Sequence, residues 1–124
     1  MLLLEHVGRK SGARRYAVLE VVDRPGTDEY VIVSGFGERA QWYRNVVANP
    51  HVRVSVGLRR NVSALATPLT RAAVDATLDR YAEHHPRTWR TLRDAMAEAM
   101  DSPDLRLPMM RLTLARGRAD GVGQ

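Results

Sequence analysis

Apolar runs separated by turn-forming residues dominate the first third of the chain. Residues 2–7 and 16–22 are rich in leucine and valine, which predicts two β-strands. The second run is more continuously apolar than a half-exposed strand, so we expect it to be buried on both faces. A Pro-Gly turn at residues 24–28 leads into a third predicted strand at residues 29–34. Together these segments predict a three-strand meander.

A glycine-rich break and a short helix follow the third strand. Gly35-Phe36-Gly37 interrupts the apolar pattern, and residues 38–48 carry aromatic residues and valines at helical spacing. Asn49-Pro50 is expected to end this helix. Residues 51–56 then alternate cleanly between valine and polar residues, which predicts an antiparallel strand with one face toward solvent. Residues 61–67 predict a further strand.

Two helices and a last strand complete the pattern. Thr70 is a natural N-cap for the first of these helices, and Pro86 suits the first position of the second. Residues 107–115 predict the final strand, and the tail at residues 117–124 is expected to fray. About six strands, one short inserted helix and a helical pair before the last strand predict an α+β fold. We expect a single domain over residues 1–116 whose antiparallel sheet closes into a small barrel.

Size, charge and cysteine content narrow the function classes. The chain has 124 residues and carries 19 Lys and Arg against 14 Asp and Glu, a net charge of +5. This excess favours an anionic partner. The absence of cysteine excludes disulfides, thiolate zinc sites, iron–sulfur clusters and a cysteine nucleophile. The first residues form neither a basic leader nor an apolar run long enough to span a membrane, so we expect a cytoplasmic protein without a transmembrane segment.

Side-chain patterns for metal chemistry or hydrolysis are missing from the sequence. The four histidines are scattered, and there is no His-Glu-x-x-His, so no metal site is expected. There is also no Gly-x-Ser-x-Gly and no Walker-type loop. These absences leave little support for a reaction carried by the protein's own side chains.

The clearest chemical signal is a basic turn at residues 8–15, which reads Gly-Arg-Lys-Ser-Gly-Ala-Arg-Arg. Its glycines allow close backbone approach, and successive N–H groups in such a turn form a concave site for an anion. The alternative is a solvated hairpin turn whose basic residues serve solubility. The sequence thus combines a potential anion site with few candidate catalytic side chains. This combination is typical of a protein in which a bound redox cofactor carries out the reaction, and the anion site favours a cofactor with a phosphate.

Several motifs occur in the order and spacing of one known family. They are Gly-Arg-Lys-Ser-Gly-x-x-Arg at residues 8–15, Ser-Gly at 34–35, Gln-Trp-Tyr-Arg-Asn at 41–45, Ala-Asn-Pro at 48–50 and Val-Arg-Val at 52–54. In these motifs the sequence resembles the deazaflavin-dependent nitroreductase family. The resemblance implies a split β-barrel related to FMN-binding barrels. It also implies reduced coenzyme F420, an 8-hydroxy-5-deazaflavin with a phosphate and a polyglutamyl tail, as the cofactor.

The resemblance also assigns residues to the cofactor. Those that would hold the phosphate and the acidic tail are Arg9, Lys10, Ser11, Gly12 and Arg15. Those that would line the deazaflavin or flank its pocket are Ser34, Gly35, Phe36, Gly37, Trp42 and Asn45. For Trp42 the alternative is an aromatic anchor of the short helix. No catalytic side chain is assigned, and Tyr43 and Ser34 are only weak candidates for a proton donor.

The implied activity is transfer of a hydride from reduced F420 to a quinone, an enone or a nitro compound. Residues 94–106 lack the tyrosines that nitroimidazole-reducing members have in that region, so reduction of nitroimidazoles is not expected. The alternatives are an FMN-binding oxidoreductase of the same fold and a non-catalytic protein that binds a flavin, a deazaflavin or nucleic acid. The cations are not interleaved with aromatic residues as single-stranded nucleic acid requires, which disfavours the last. A homodimer is compatible with this fold.

Overall fold

The structure is a computed structural model that describes residues 1–34, 39–100 and 108–115, with only the backbone at residues 92 and 95–100. Within these residues it contains seven strands and three helices. In chain order they are β1 (Leu2–Val7), β2 (Arg14–Leu19), β3 (Val21–Gly26), β4 (Glu29–Val33), α1 (Gln41–Ala48), β5 (His51–Val56), β6 (Arg59–Pro68), α2 (Arg71–His84), α3 (Pro86–Met100) and β7 (Met109–Leu114). The predicted tail at residues 117–124 lies outside the described residues.

The seven strands form one antiparallel sheet in the order β2-β1-β5-β6-β7-β4-β3. β2 and β3 lie at opposite edges of this sheet, yet only Glu20 separates them along the chain. The sheet must therefore curl until its two edges approach each other, which is the geometry of a barrel. The predicted α+β barrel, with a short inserted helix and a helical pair before the last strand, is confirmed, with seven strands instead of about six.

The predicted strand at residues 16–22 is wrong, because Glu20 divides this segment between β2 and β3. β2 pairs with β1 and β3 pairs with β4, so the predicted three-strand meander is also wrong. The residues on both sides of Glu20 favour strands, so propensity alone does not predict the break. The break arises because closure of the barrel places β2 and β3 at opposite edges of the sheet. β3 continues through Pro25 to Gly26, beyond the start of the predicted turn. An edge strand tolerates this proline because one of its sides needs no ladder hydrogen bonds.

The barrel interior is filled by side chains from alternate positions of the strands. In β5 the predicted alternation is confirmed, since Val52 and Val54 are buried while His51 and Arg53 are exposed. The buried cluster consists of Leu2, Leu4, Tyr30, Ile32, Val46, Val52, Val54, Ala64, Ala66, Met110, Leu112 and Leu114. Val46 belongs to α1, so this helix closes one end of the core and is fixed relative to the strands.

α2 covers only part of the outer face of the sheet. It packs on β3, β4 and β7, where Val31, Val74 and Met109 are buried together. On β2, at the other edge, Tyr16 is 59% exposed and Val18 is 64% exposed. The predicted burial of residues 16–22 on both faces is therefore wrong, because the covering helix lies over the opposite half of the sheet.

The helix ends follow local sequence signals. The Thr70 hydroxyl accepts a hydrogen bond from the Ala73 N–H at 3.2 Å, so the predicted N-cap of α2 is confirmed. α3 begins at Pro86 and α1 ends at Ala48, as predicted. α1 begins at Gln41, later than predicted, because Ala40 has an extended ψ of 133°. None of the helices in the described ranges is long and apolar enough to cross a lipid bilayer.

The core makes a direct prediction about stability. Leu4 is fully buried at 0% exposure, whereas Leu58 in the turn between β5 and β6 is 99% exposed. Leu4→Ala removes buried methyl groups and leaves a cavity, so we expect it to lower the free energy of unfolding by about 2–5 kcal/mol. Leu58→Ala is the matched control and is expected to change it by less than about 0.5 kcal/mol. Chemical denaturation of both variants measures the difference, and equal effects would contradict the placement of β1.

Candidate anion-binding site

The turn between β1 and β2 is closed by backbone hydrogen bonds and shaped by two glycines. The Gly8 N–H donates to the Ala13 carbonyl and the Gly12 N–H donates to the Gly8 carbonyl, both at 2.9 Å. Gly12 has a φ of +73°, a conformation that favours glycine. A Cβ on Gly8 would lie 2.7 Å from the Ser11 hydroxyl oxygen, so a side chain there would displace Ser11. The turn therefore depends on glycine at both positions.

Four exposed cationic side chains lie in or beside this turn, namely Arg9, Lys10, Arg14 and Arg15. Arg14 and Arg15 are consecutive residues of β2, so Arg15 projects on the face of His6 and Arg14 on the opposite, outer face. The Ser11 hydroxyl accepts from the Ala13 N–H at 3.1 Å. The N–H groups of Gly8, Arg9, Gly12 and Ala13 already donate within the protein. The side chains therefore supply the main donor set for a phosphate or a carboxylate, namely guanidinium, ammonium and hydroxyl groups.

Asn45 connects the turn to α1. Its side-chain oxygen accepts from the Arg9 N–H at 3.1 Å and from the Arg9 guanidinium nitrogen Nη1 at 2.7 Å. Its side-chain nitrogen Nδ2 lies 3.2 Å from Nδ1 of His6. Both Asn45 and His6 are only 3% exposed. The structure thus brings together two residues of the predicted set, Arg9 and Asn45, through a buried polar bridge.

His6 is not among the site residues predicted from the sequence, where it is one of four scattered histidines. The alternation of β1 contains the relevant signal, because His6 occupies the same inward-facing register as Leu2 and Leu4. A histidine at the third buried position of a strand needs a polar partner. The sequence alone does not identify that partner, which comes from α1, 39 residues further along the chain.

The aromatic residues of α1 pack against the core. Trp42 and Tyr43 are half-buried and contact the main apolar cluster. Their rings meet edge to face, with centroids 5.7 Å apart and planes at 81°. These contacts support the anchoring alternative for Trp42, and its contact with a cofactor stays a prediction.

The remaining predicted residues lie elsewhere or outside the described ranges. Ser34 is fully buried after the end of β4, and its N–H donates to the Pro108 carbonyl at 3.0 Å. It is not part of the turn between β1 and β2. Gly35, Phe36 and Gly37, predicted to line the deazaflavin, lie outside the described residues. Lys10, Ser11 and Gly12 lie in this turn, whereas Arg15 is the second residue of β2 and pairs with His6.

Titration of His6 gives a prediction for stability. Burial, and then the charge of Arg15, lower the pKa of His6 below its ordinary value of 6.5. As the pH falls below 6.5, the unfolded chain therefore takes up a proton that the folded chain still rejects, and the free energy of unfolding decreases. Denaturation at about pH 7.5 and about pH 5 measures this loss. In His6→Asn, which does not titrate there, we expect a smaller loss, and an unchanged loss would contradict the lowered pKa.

Comparison with known proteins identifies the family of this chain. The sequence model of the F420H(2)-dependent quinone reductases matches residues 1–101. A curated protein of Mycobacterium tuberculosis (strain ATCC 25618 / H37Rv), named for F420H(2)-dependent quinone reductase activity, is 41% identical over 66 residues. That match covers 52% of this chain and 56% of the relative, so the chain spans about half the length of the curated relative that it matches.

Solved structures support the fold. An F420-H2 dependent reductase, FDR-A, is 26% identical with a TM-score of 0.62, covering 90% of this chain and 91% of its own. A domain-swapped dimer is 26% identical with a TM-score of 0.61, covering 90% of this chain and 78% of its own. HutZ, a heme storage protein from Vibrio cholerae, shares the fold alone, at 15% identity and a TM-score of 0.63, covering 94% of this chain and 82% of its own. The predicted split β-barrel is confirmed.

The family model covers the basic turn, the buried Asn45 bridge and the helix that carries it, which are the same features that the structure joins at one end of the barrel. With 101 of the 124 residues matched, this chain belongs to the F420H(2)-dependent quinone reductase family.

Proposed function

We propose that this chain is an oxidoreductase that uses reduced coenzyme F420 to reduce a quinone or a similarly electron-poor small molecule. The observation that carries the proposal is the basic turn at residues 8–15, held against α1 by Asn45. When bound, reduced F420 supplies a hydride from C5 of its deazaflavin ring. The protein's task is then to bind and orient the cofactor.

The residues of the turn suit the acidic part of this cofactor. Phosphate and glutamyl carboxylates need N–H donors and cations, and the turn and the start of β2 present exposed Arg9, Lys10 and Arg15. Gly12 has open space where a Cβ would stand, so an anion has access to the backbone there. The chemistry of this donor set therefore fits F420.

We assign the phosphate and the acidic tail to Arg9, Lys10, Ser11, Gly12 and Arg15. We assign the deazaflavin ring to Ser34, Gly35, Phe36 and Gly37, which follow β4 in the sequence, and to Trp42 and Asn45 of α1. Asn45 already contacts Arg9 of the turn, which supports a site that extends from the turn to α1. The proton that completes reduction of a quinone is assigned to solvent, because none of the described side chains is a strong candidate for donating it.

FMN is the competing cofactor, since it also combines a phosphate with a tricyclic ring. Arg9, Lys10 and Arg15 together carry more positive charge than a single phosphate needs, which favours the longer acidic tail of F420. Competition between FMN and F420, followed by fluorescence, separates the two. Displacement of bound F420 by a small excess of FMN would favour the alternative.

Affinity for F420 is the direct test of the proposed site. In Lys10→Ala combined with Arg15→Ala, two exposed charge-assisted contacts are lost, and we expect affinity to fall by roughly tenfold or more. Arg71→Ala at the start of α2, which removes a cation outside the turn, is the control and is expected to keep the wild-type affinity. Fluorescence titration measures all three proteins. Absence of binding to the wild-type chain at micromolar F420 would overturn the proposal.

Lys10 offers an independent probe because it is the only lysine in the sequence. An amine-acylating reagent therefore modifies only Lys10 and the α-amino terminus. We expect saturating F420 to protect Lys10 and not the terminus, measured by mass spectrometry of the peptides. Equal modification with and without F420 would place the acidic tail away from this turn.

We also propose that two copies of this chain pair through the uncovered outer face of β2, β1, β5 and β6. Apolar side chains are exposed on it at Leu3, Tyr16, Val18 and Leu65. The same face holds an open groove of about 380 Å³, lined by Glu5, Val7, Arg14, His51, Val52, Arg53, Ser63 and Ala64. Leu3 and Val18 are paired neighbours on β1 and β2, and exposed apolar side chains grouped beside charged residues are typical of protein interfaces. The similarity to a domain-swapped dimer supports a second copy as the partner.

Val18→Arg tests this pairing. A charge at this position would be buried in the pairing without a partner, so we expect the sedimentation velocity to shift from a dimer toward a monomer. Leu58→Arg, at an exposed position in the turn between β5 and β6, is expected to leave the dimer intact. A wild-type chain that sediments as a monomer at high concentration would contradict the proposal.

A further inference from the structure

The orientation of the Asn45 amide is determined by Arg9. A backbone N–H and a guanidinium nitrogen are both donors without acceptor capacity, and both converge on one atom of the Asn45 side chain. That atom must be the amide oxygen. The amide nitrogen, which is a donor, therefore faces Nδ1 of His6 at 3.2 Å. Nδ1 must accept this hydrogen bond, so the imidazole is neutral and carries its proton on Nε2.

We propose that His6 is a positioning residue for the anion-binding turn: its neutral ring, protonated on Nε2, holds the Asn45 amide in one orientation, and the amide in turn holds Arg9. The identification of F420 as the ligand rests on the function proposed above. The hydrogen-bond chain itself rests on the geometry of His6, Asn45 and Arg9.

Burial makes this orientation unique. His6 and Asn45 are each 3% exposed, so solvent cannot compensate for a lost hydrogen bond. A flipped amide would place its N–H groups against the two Arg9 donors and its oxygen against the lone pair of Nδ1. A protonated His6 would place a donor against the amide nitrogen. Satisfied buried networks of this kind hold a single arrangement of their members.

The charges around His6 agree with a neutral ring. Arg15 pairs with His6 across the β1–β2 ladder, and its charge, added to the effect of burial, lowers the pKa of the imidazole. Asn45, which faces the ring from α1, is uncharged and points a donor N–H at Nδ1. Arg15 and Asn45 therefore both disfavour protonation of this nitrogen.

The consequence for binding is preorganisation of Arg9. One guanidinium nitrogen of Arg9 is occupied by Asn45, and the exposed side chain still carries further N–H donors for an anion. An arginine that is already held loses less side-chain entropy when the anion binds. Release of Arg9 is therefore expected to weaken binding by about two- to tenfold.

A first experiment reads the ring directly in the wild-type protein, without any substitution. Long-range ¹H–¹⁵N NMR spectra distinguish the two tautomers of a neutral histidine from the imidazolium. At neutral pH we expect Nε2 to carry the proton of His6 and Nδ1 to be unprotonated. A proton on Nδ1, or an imidazolium, would overturn the proposal whether or not F420 binds.

A second experiment tests the connection to Arg9. His6→Leu removes the acceptor for Asn45, whereas His6→Asn places an oxygen where Nδ1 stands and restores it. ¹⁵N relaxation of the Arg9 side chain is expected to show increased motion in His6→Leu and wild-type order in His6→Asn and Lys10→Ala. Unchanged order of Arg9 in His6→Leu would overturn the proposal. If His6→Leu does not fold, Asn45→Ala gives the same readout from the other side of the bridge.

Double substitution separates positioning from a general structural role. His6→Leu is expected to weaken F420 binding by about two- to tenfold in the wild-type and Lys10→Ala backgrounds, and to have no further effect in the Arg9→Ala background. An equal effect of His6→Leu in all three backgrounds would show a general loss of structure and overturn the proposal. Failure of the wild-type chain to bind F420 would instead refute the proposed function, and the tautomer and relaxation experiments would still decide the role of His6.

Discussion

Closure of the curled sheet is the constraint on which the rest of the structure depends. A single residue, Glu20, joins two strands that lie at opposite edges of the sheet. A flat sheet of seven strands cannot satisfy that connection, because neighbouring strands are about 4.8 Å apart. The chain therefore wraps around the apolar cluster, and both edges of the sheet belong to one continuous segment. This arrangement reduces the exposed edge that an open sheet would present to other chains.

Closure also determines where the polar groups of the site meet. The turn between β1 and β2 stands at one end of the barrel, and α1 packs at that end through Val46 and its aromatic residues. Asn45 then lies between the turn and His6, in a position that solvent does not reach. The apolar core thus supports a short polar bridge, and the bridge holds Arg9 of the basic turn. Cofactor sites commonly require such support, because binding groups must be held in place by residues that do not touch the ligand.

The two faces of the sheet have different roles in this arrangement. The inner face makes the core, and α2 buries half of the outer face against Val31 and Met109. The other half keeps Tyr16 and Val18 exposed beside charged residues. Arg14, at the start of β2, lies on this second surface, so the surface that we propose for a partner copy extends to the end of the basic turn.

Local signals in the sequence were sufficient for much of the fold. Alternation identified β5, Thr70 and Pro86 marked the helix starts, and the order of several motifs identified the family and its basic turn. The division at Glu20, the exposure of Tyr16 and the partner of His6 were decided only by the tertiary structure. Their physical reason is shared: each depends on which distant segment lies alongside. Propensity and periodicity describe neighbours along the chain, whereas barrel closure and a buried hydrogen bond between β1 and α1 depend on neighbours in space.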